Sequence, residues 1–249
     1  MDGVYAREIT EGIRRGYQLM AQARDAGYIE SGQLLIQPIE REWSQHELLA
    51  AAQQAELRNT GWPIGLVLQR PGLAPVAKPH GIEARLGRYA SGRIEDFWYF
   101  GKDGSYYMSR LFEEDLETPR FTSSRGHPER SIWFDVRIWR IAEVLLHSTT
   151  LYRELGIPPE EPYALAVNHQ GLEKREFYVS TARRFVPLGR ICRSSVAMWT
   201  KEVTYDYVTS NLKSLVREVA CGLFVLFDFA QVSDEVVDSI VEEFLHSRV

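Results

Sequence analysis

Residues 210–229 carry an apolar stripe with the period of an α-helix. Apolar residues recur at intervals of three and four positions, which places them along one helix face. They are Leu212, Leu215, Val216, Val219, Ala220, Leu223, Phe224 and Phe227. The polar side ends at Glu218, so we expect the second half of the helix to be enclosed by the rest of the protein. Charged residues within the stretch exclude a membrane span, and the stripe therefore predicts a core helix, with Ser210 or Asn211 as its N-cap.

Length and composition indicate a globular protein. The 249 residues are 45% hydrophobic and 25% charged, with a net charge of −5, which is the usual balance of globular proteins. An acidic chain does not favour a surface that binds nucleic acid throughout, and a local basic face is kept as an alternative. We interpret the chain as a single α+β unit, 1–249, with two intimate halves, 1–157 and 158–249, as the alternative.

The cysteines and the first residues predict the cellular location. Cys192 and Cys221 are too few for a disulfide framework, and we expect Cys221 to be a small buried residue beside the stripe. Arginines at positions 7, 14, 15 and 24 interrupt the apolar residues there, which argues against a signal peptide. We therefore expect a cytoplasmic protein without a membrane partner.

Helical periodicity also marks four other segments. They are residues 5–26, 44–58, 132–155 and a last helix that begins after Ser233. Ser44 and Glu47 have the spacing of a capping box, in which each side chain accepts a hydrogen bond from the backbone N–H of the other residue. These signals predict long amphipathic helices.

Runs rich in β-forming residues occupy the intervals between the helices. One predicted strand begins at Gly32, and the others are 64–69, 82–86, 97–100, 105–112, 163–167, 173–179 and 194–207. Residues 118–130 are a predicted exposed loop. Turn residues at 101–104 and 170–171 predict two hairpins. Since hairpins rather than helical crossovers join the strands, we predict the α+β class, with antiparallel hairpin-connected sheet packed against the helices.

Short motifs for chemistry are missing from the sequence. There is no phosphate-binding glycine loop of either common type and no G-x-S-x-G nucleophile turn. The six histidines include no pair at a spacing of four residues, and no cysteine pair has zinc spacing. We therefore predict no cofactor and no metal, and we lean towards a protein without enzymatic activity.

Acidic residues and one histidine leave a dispersed enzyme site as a third hypothesis. It would use Glu83, Asp135, Glu143 or His147, and it requires these side chains to converge in a cleft. The acidic runs 113–115 and 160–161 are interpreted as solvated loops, because Asp and Glu normally lie exposed.

A basic segment near the end of the chain carries the second hypothesis. Between residues 177 and 201 there are five cations and no acidic residue. The candidate contacts are Arg183, Arg184, Arg190, Arg193, Lys201 and the interleaved Trp199. Arginine forks suit phosphates and aromatic rings stack on bases, so this segment predicts binding of a nucleic acid or nucleotide. The alternative is a solvated loop that binds nothing.

Aromatic residues in the first half of the chain could line a pocket or an interface. The candidates are Trp43, Arg58, Trp62, Trp98 and Tyr107. Tyrosine and tryptophan often anchor interfaces. The alternative interpretation is that most of these rings fill the core, with their polar atoms at its rim.

Two stretches carry a resemblance to a known group of proteins. They are REWSQHEL at 41–48 and AELRNTGWP at 55–63, and the similarity continues through Phe97-Trp98, Tyr106-Tyr107 and the helix at 138–155. The chain resembles the region that follows the AlbA_2 domain, a Schlafen-type domain associated with nucleic-acid binding in bacterial proteins. The AlbA_2 domain itself is missing from this chain. The resemblance implies an accessory, partner-binding module and supplies no catalytic residues.

The leading hypothesis is thus a cytoplasmic, non-enzymatic module that binds a partner protein or a second copy of itself. It rests on the missing catalytic motifs, on the aromatic surplus of 12% and on the resemblance. Nucleic-acid binding through the basic segment is the alternative.

Overall fold

The computed structural model describes residues 26–37, 39–57, 59–87, 94–116, 131–180, 184–187, 189–229 and 232–247. Within these ranges the chain forms nine strands and five α-helices. In chain order they are β1 (Tyr28–Leu35), α1 (Gln45–Ala55), β2 (Val76–Lys78), β3 (Gly81–Gly87), β4 (Ile94–Gly101), β5 (Tyr106–Leu111), β6 (Ser131–Trp133), α2 (Phe134–Glu154), β7 (Tyr163–Gln170), β8 (Glu176–Tyr178), β9 (Val196–Val203), α3 (Tyr205–Ser210), α4 (Leu212–Phe224) and α5 (Asp234–His246). The predicted helix at 5–26 and the predicted loop at 118–130 lie outside the described residues, apart from Ala26.

Seven of the strands form one antiparallel sheet. Their order across the sheet is β2-β3-β4-β5-β1-β7-β9, and β6 pairs with β8 in a separate parallel ribbon. The predicted α+β class is confirmed. The predicted hairpin at 101–104 is also confirmed, because β4 and β5 pair directly. Gly104 has a φ of 81° there, a conformation in which glycine avoids the penalty of a Cβ atom.

The second predicted hairpin, at 170–171, is wrong. β7 pairs with β1 on one side and with β9 on the other. Both edges of β7 are therefore occupied, and β8 does not pair with it. Arg175 then bends the chain back, because its Nε donates to the Gly171 carbonyl at 2.6 Å and its Nη2 bonds to Asp115 at 2.5 Å. These contacts direct β8 to β6 rather than along β7.

Two other strand predictions fail for local reasons. Residues 64–69 form no strand, since Gly65 takes a φ of 69° and the chain passes over His147 as irregular backbone. The predicted strand at 194–207 ends at Val203. There Thr204 accepts a hydrogen bond from the Tyr207 amide at 3.1 Å and caps α3, as expected for a threonine at a helix start.

The central helix of the molecule is α2. Sixteen of its 21 residues are buried, and α1, α3, α4 and α5 all pack against it.

The α4 stripe is buried as predicted, but the enclosure of its second half is not found. Val225 is 51% exposed and Cys221 is an exposed free thiol, so the prediction of a buried Cys221 is wrong. The predicted cap is also not found, because Ser210 is the last residue of α3 and the Asn211 side chain forms no capping hydrogen bond. α4 ends at Phe224, and a 3-10 turn at Val225–Phe227 follows it.

The capping signals are confirmed at α1 and α5. Ser44 and Glu47 form both hydrogen bonds of the capping box, and Ser233 accepts from the Val236 amide. The main hydrophobic core runs from Ile29 to Phe244 and includes residues on both sides of position 157. No helix in the described ranges is long and apolar enough to cross a membrane.

Candidate interaction surface

The terminal strand β9 is the largest open element of the sheet. It is eight residues long and pairs with β7 on one side. No strand within the described ranges pairs with its outer edge. The opposite end of the sheet is β2, which has only three residues. β9 therefore presents the longer sheet edge that no described strand covers.

The side chains of β9 alternate between two environments. Ala197 and Val203 are buried on the face of the sheet that carries the helices, as expected for a strand with a period of two. Val196, Met198, Thr200 and Glu202 point to the other face. Met198 is 75% exposed, so a large apolar side chain lies in solvent beside the open edge.

A hydrogen-bonded cluster around the buried Glu30 lies on the same face of the sheet as Met198. Met198 is opposite Asn168 on β7, and Asn168 is opposite Glu30 on β1. The buried Glu30 carboxylate accepts hydrogen bonds from Asn168 at 3.2 Å, from Gln170 at 3.1 Å and from the Tyr107 hydroxyl at 3.0 Å. Sheet residues next to the open edge are therefore held in fixed positions.

Two predicted contact residues of β9 are held by α4. Trp199 donates through Nε1 to Glu218 at 3.0 Å, and the Lys201 ammonium bonds to the other carboxylate oxygen at 2.6 Å. The hydrogen bond to Glu218 raises the pKa of Lys201. Burial acts to raise the pKa of Glu218, but its bonds to Lys201 and Trp199 outweigh it and lower this pKa. Lys201 also lies over the Tyr207 ring, 5.9 Å from its centroid.

The arginines of the basic segment contact different elements. Arg184 pairs with Glu243 of α5 at 2.5 Å, and Arg190 donates to the Asp228 carbonyl at 2.6 Å. Arg193 is exposed. Arg183 lies outside the described residues. Since Arg184 and Lys201 face carboxylates, the segment has less free positive charge than its sequence indicates, and nucleic-acid binding stays a prediction.

The aromatic candidates are positioned mainly by the core. Trp43 donates to the Leu155 carbonyl and Trp98 to the Leu66 carbonyl, each at 3.1 Å. Trp98 and Tyr107 belong to clusters on opposite faces of the sheet. Trp62, half-buried, donates to Asp96. Arg58 lies outside the described residues. The four described residues therefore do not form one common pocket.

A small surface pocket borders one of these aromatic residues. It has a volume of about 180 Å³ and lies beside Trp43, between α1 and the end of α2. Arg41 and Glu47 form an ion pair of 2.7 Å at its rim. Hydrogen bonds from Ser44 and Arg41 lower the pKa of Glu47 to about 2. The charges at this rim thus neutralise each other.

The interpretation of 113–115 as a solvated loop is wrong, because the Asp115 side chain is 6% exposed and pairs with Arg175. Glu113 and Glu114 are each 1% exposed, in a 3-10 turn after β5. Arg137 pairs with both carboxylates, and Arg140 bridges Glu113 to Glu143. Arg110 adds a further bond to Glu113 at 3.1 Å. This cluster, which we call the buried charge network, fastens the 3-10 turn to α2.

Burial and charge shift the two carboxylates in opposite directions. Burial acts to raise the pKa of Glu113, but three arginines hold it well below its usual value. Burial raises the pKa of Glu114 to about 7, and the neighbouring negative charge of Glu113 adds to the effect. Glu114 also accepts the Trp133 amide at 2.5 Å. The arginines and carboxylates of the network are therefore paired with one another, and they act as a structural clamp between the 3-10 turn and α2.

The residues of the dispersed enzyme hypothesis contact different partners. Glu83 pairs with Lys78 and Arg85. Asp135 accepts from Ser180, Glu143 belongs to the buried charge network, and His147 packs against the Tyr106 ring. None of these contacts joins two of the four candidates. Within the described part of the chain, no group of three or more His, Cys, Asp or Glu residues could hold a metal ion.

Comparisons of the chain with protein-family models, with curated proteins and with solved structures find no match. The function is therefore inferred from the geometry of the surface.

Proposed function

We propose that this chain is a non-enzymatic module that binds a protein partner through the outer edge of β9. The observation that carries the proposal is an eight-residue terminal strand whose outer edge pairs with no strand of the described chain. Unpaired N–H and C=O groups along such an edge can accept a further strand, and the alternating side chains can supply selectivity.

β9 is a longer edge strand than the one at the opposite end of the sheet. Proteins often shorten their edge strands or place a lysine over them. β2 at the opposite end has three residues, whereas β9 has eight. Lys201 is the only cation of β9, and it is directed towards Glu218 of α4. The exposed Met198 then adds apolar area next to the edge.

Two further observations support the proposed setting. Both cysteines are free and Cys221 is exposed, which suits the reducing cytoplasm. The buried charge network occupies its acidic side chains in internal ion pairs, which suits a scaffold more than a reactive site. An accessory, partner-binding role is also what the resemblance to the region after AlbA_2 domains implies.

Peptide selection tests the proposal while the partner is still unidentified. The full chain is immobilised and exposed to a displayed library of linear peptides. Selected peptides should bind at least about tenfold more weakly when Met198→Lys and Thr200→Lys are combined, because added charges repel an incoming strand. Both positions are exposed, so the fold should be retained.

The matched control places the same charges at the other end of the sheet. Val76→Lys with Ala77→Lys alters two exposed positions of β2 and should leave peptide binding unchanged. Failure to select any peptide, or equal losses in the two double variants, would overturn the proposal.

A further inference from the structure

We infer that the partner is a second copy of this chain, whose β9 pairs antiparallel with β9 across a twofold axis at Thr200. The inference rests on the proposed function and specifies the occupant of the open edge. It would join two seven-stranded sheets into one continuous sheet.

Symmetry restricts the register of such a pair. A twofold axis that relates two neighbouring antiparallel strands is perpendicular to the sheet, so each face of the sheet stays on the same side in both copies. Each side chain of one β9 must then lie opposite a side chain of the other β9 that is on the same face of the sheet. The axis therefore passes through a residue position, and the helices of both copies cover the same face of the joined sheet.

Charge selects among these registers. An axis at Lys201 or at Glu202 places two like charges directly opposite each other, which is unfavourable. An axis at Trp199 places Lys201 opposite Ala197 of the partner subunit, where no opposite charge or aromatic ring faces it. An axis at Thr200 avoids both problems and pairs residues 197–203 with the same range of the partner.

The Thr200 register places complementary groups together on the helix-bearing face. Trp199 lies opposite Lys201 of the partner subunit, and a lysine next to a tryptophan ring is a favourable cross-strand pair. Glu218 already holds both residue types within one copy, with bonds of 3.0 Å to Trp199 and 2.6 Å to Lys201. Each Lys201 would thus remain next to a carboxylate while it approaches an aromatic ring of the other copy.

The opposite face gains a mixed pair at the rim of the joined sheet. Met198 lies opposite Glu202 of the partner subunit, so the methylenes of the glutamate cover the exposed thioether while the carboxylate stays in water. The 75% exposure of Met198 in one copy would fall accordingly. At the axis, Thr200 lies opposite Thr200 of the partner subunit, and threonine pairs are favourable across strands.

The mass of the full chain in solution tests whether the dimer forms. Sedimentation over a concentration series should show a monomer–dimer equilibrium. Thr200→Glu should raise the dimer dissociation constant by about tenfold or more, because two carboxylates then meet at the axis. Val76→Glu, at an exposed position of β2, should leave it unchanged. A chain that stays monomeric at high micromolar concentration overturns the inference.

Disulfide trapping tests the register. In a Cys221→Ser background, which removes the exposed native thiol, Thr200→Cys should form a disulfide with itself across the axis. Cross-strand Cα distances fall within the range that a disulfide allows. Met198→Cys should couple to Glu202→Cys when the two variants are mixed, and neither should couple efficiently to itself. Stronger self-coupling of Met198→Cys than of Thr200→Cys overturns the inference.

These experiments separate the two proposals. A monomeric chain that still selects peptides through β9 removes the second copy as partner and leaves the proposed function standing. A dimer that is insensitive to Thr200→Glu places self-association elsewhere and overturns the inference, whereas the peptide selection tests the open edge independently.

Discussion

Arg137 and Glu113 form an ion pair in which the arginine side chain is 0% and the glutamate side chain 1% exposed. The same guanidinium lies 4.4 Å above the Phe112 ring and also bonds to Glu114. One residue of α2 thus contacts the three consecutive residues that follow β5. We expect this contact to set the stability of the region, because charges buried away from water depend on their partners.

Arg137→Met should lower the free energy of unfolding by about 3 to 5 kcal/mol, since the substitution removes the guanidinium that pairs with the buried Glu113 and Glu114. Urea denaturation at neutral pH measures the change. Arg85→Met is the matched control, because Arg85 pairs with Glu83 while 45% of its side chain is exposed. It should cost less than about 1 kcal/mol. Equal losses in the two variants would contradict a clamp role for Arg137.

Glu114 should make the protein less stable as the pH rises from about 4.5 to 7. Burial raises the pKa of Glu114 from 4.5 to about 7, so the folded state retains a proton that the unfolded state releases. Stability contributed by this proton is present below the unfolded pKa and is lost as the pH rises through the folded pKa. Glu114→Gln should remove this component. The measurement is the difference in unfolding free energy between the variant and the unchanged protein at each pH. A difference that does not vary with pH would refute the predicted contribution of Glu114.

The elements that the sequence predicts well depend on neighbours along the chain. The capping box of Ser44 and Glu47 spans three residues, and the turn at 101–104 joins two strands that pair directly. The apolar stripe of α4 likewise follows from spacing alone. The second hairpin fails because Tyr163 of β7 lies opposite Leu35 of β1, a pairing that no local pattern specifies.

The buried charge network could not be predicted for a similar reason. Glu113 and Glu114 are separated from Arg137 by more than twenty positions, so their sequence neighbourhood indicates only a polar loop. A signal was present in α2, where Arg137 and Arg140 lie next to Ile138 and Ile141 of its apolar stripe. Arginines on an apolar face require buried carboxylates. The open edge of β9 could not be predicted either, because it depends on the order of strands in the sheet.

Gly65→Ala should destabilise the protein strongly. Gly65 has a φ of 69°, and a Cβ atom there would collide with the His147 ring. The left-handed backbone costs an alanine about 1 kcal/mol, and the collision should raise the loss to about 3 kcal/mol. Gly72→Ala is the control, since Gly72 has a φ of 80° with no atom within 4 Å of a Cβ. It should show the backbone penalty alone, and equal losses in thermal unfolding would refute the contact with His147.

His147 and His169 should make the protein less stable as the pH falls below about 6.5. Burial lowers the pKa of His147 to about 4, and burial with the charge of Arg137 lowers that of His169 to about 3. The stability from a depressed pKa is present above the unfolded pKa and is lost as the pH falls towards the folded one. Each histidine should contribute a slope of about 1.4 kcal/mol per pH unit between these values.

His147→Gln separates this histidine from the opposing effect of Glu114. The variant should lose part of the slope between about pH 6.5 and 4, whatever its stability at neutral pH. His46→Gln, at an exposed position, should leave the slope unchanged. Two urea series, run side by side, make the comparison: parallel curves for His147→Gln and the unchanged protein would contradict a neutral buried imidazole.

Only one of the two thiols should react rapidly with a maleimide or a disulfide reagent. Cys221 is exposed on α4, whereas Cys192 is buried and its Sγ lies 3.2 Å from the Ser194 carbonyl. Burial raises the pKa of Cys192, which lowers the fraction of reactive thiolate. Native protein should therefore take up one label per chain, Cys221→Ser should take up almost none, and both sites should react in urea. Rapid labelling of Cys192 in the native protein would show that the loop before β9 opens readily, and the open edge would then lack the fixed approach that strand pairing requires.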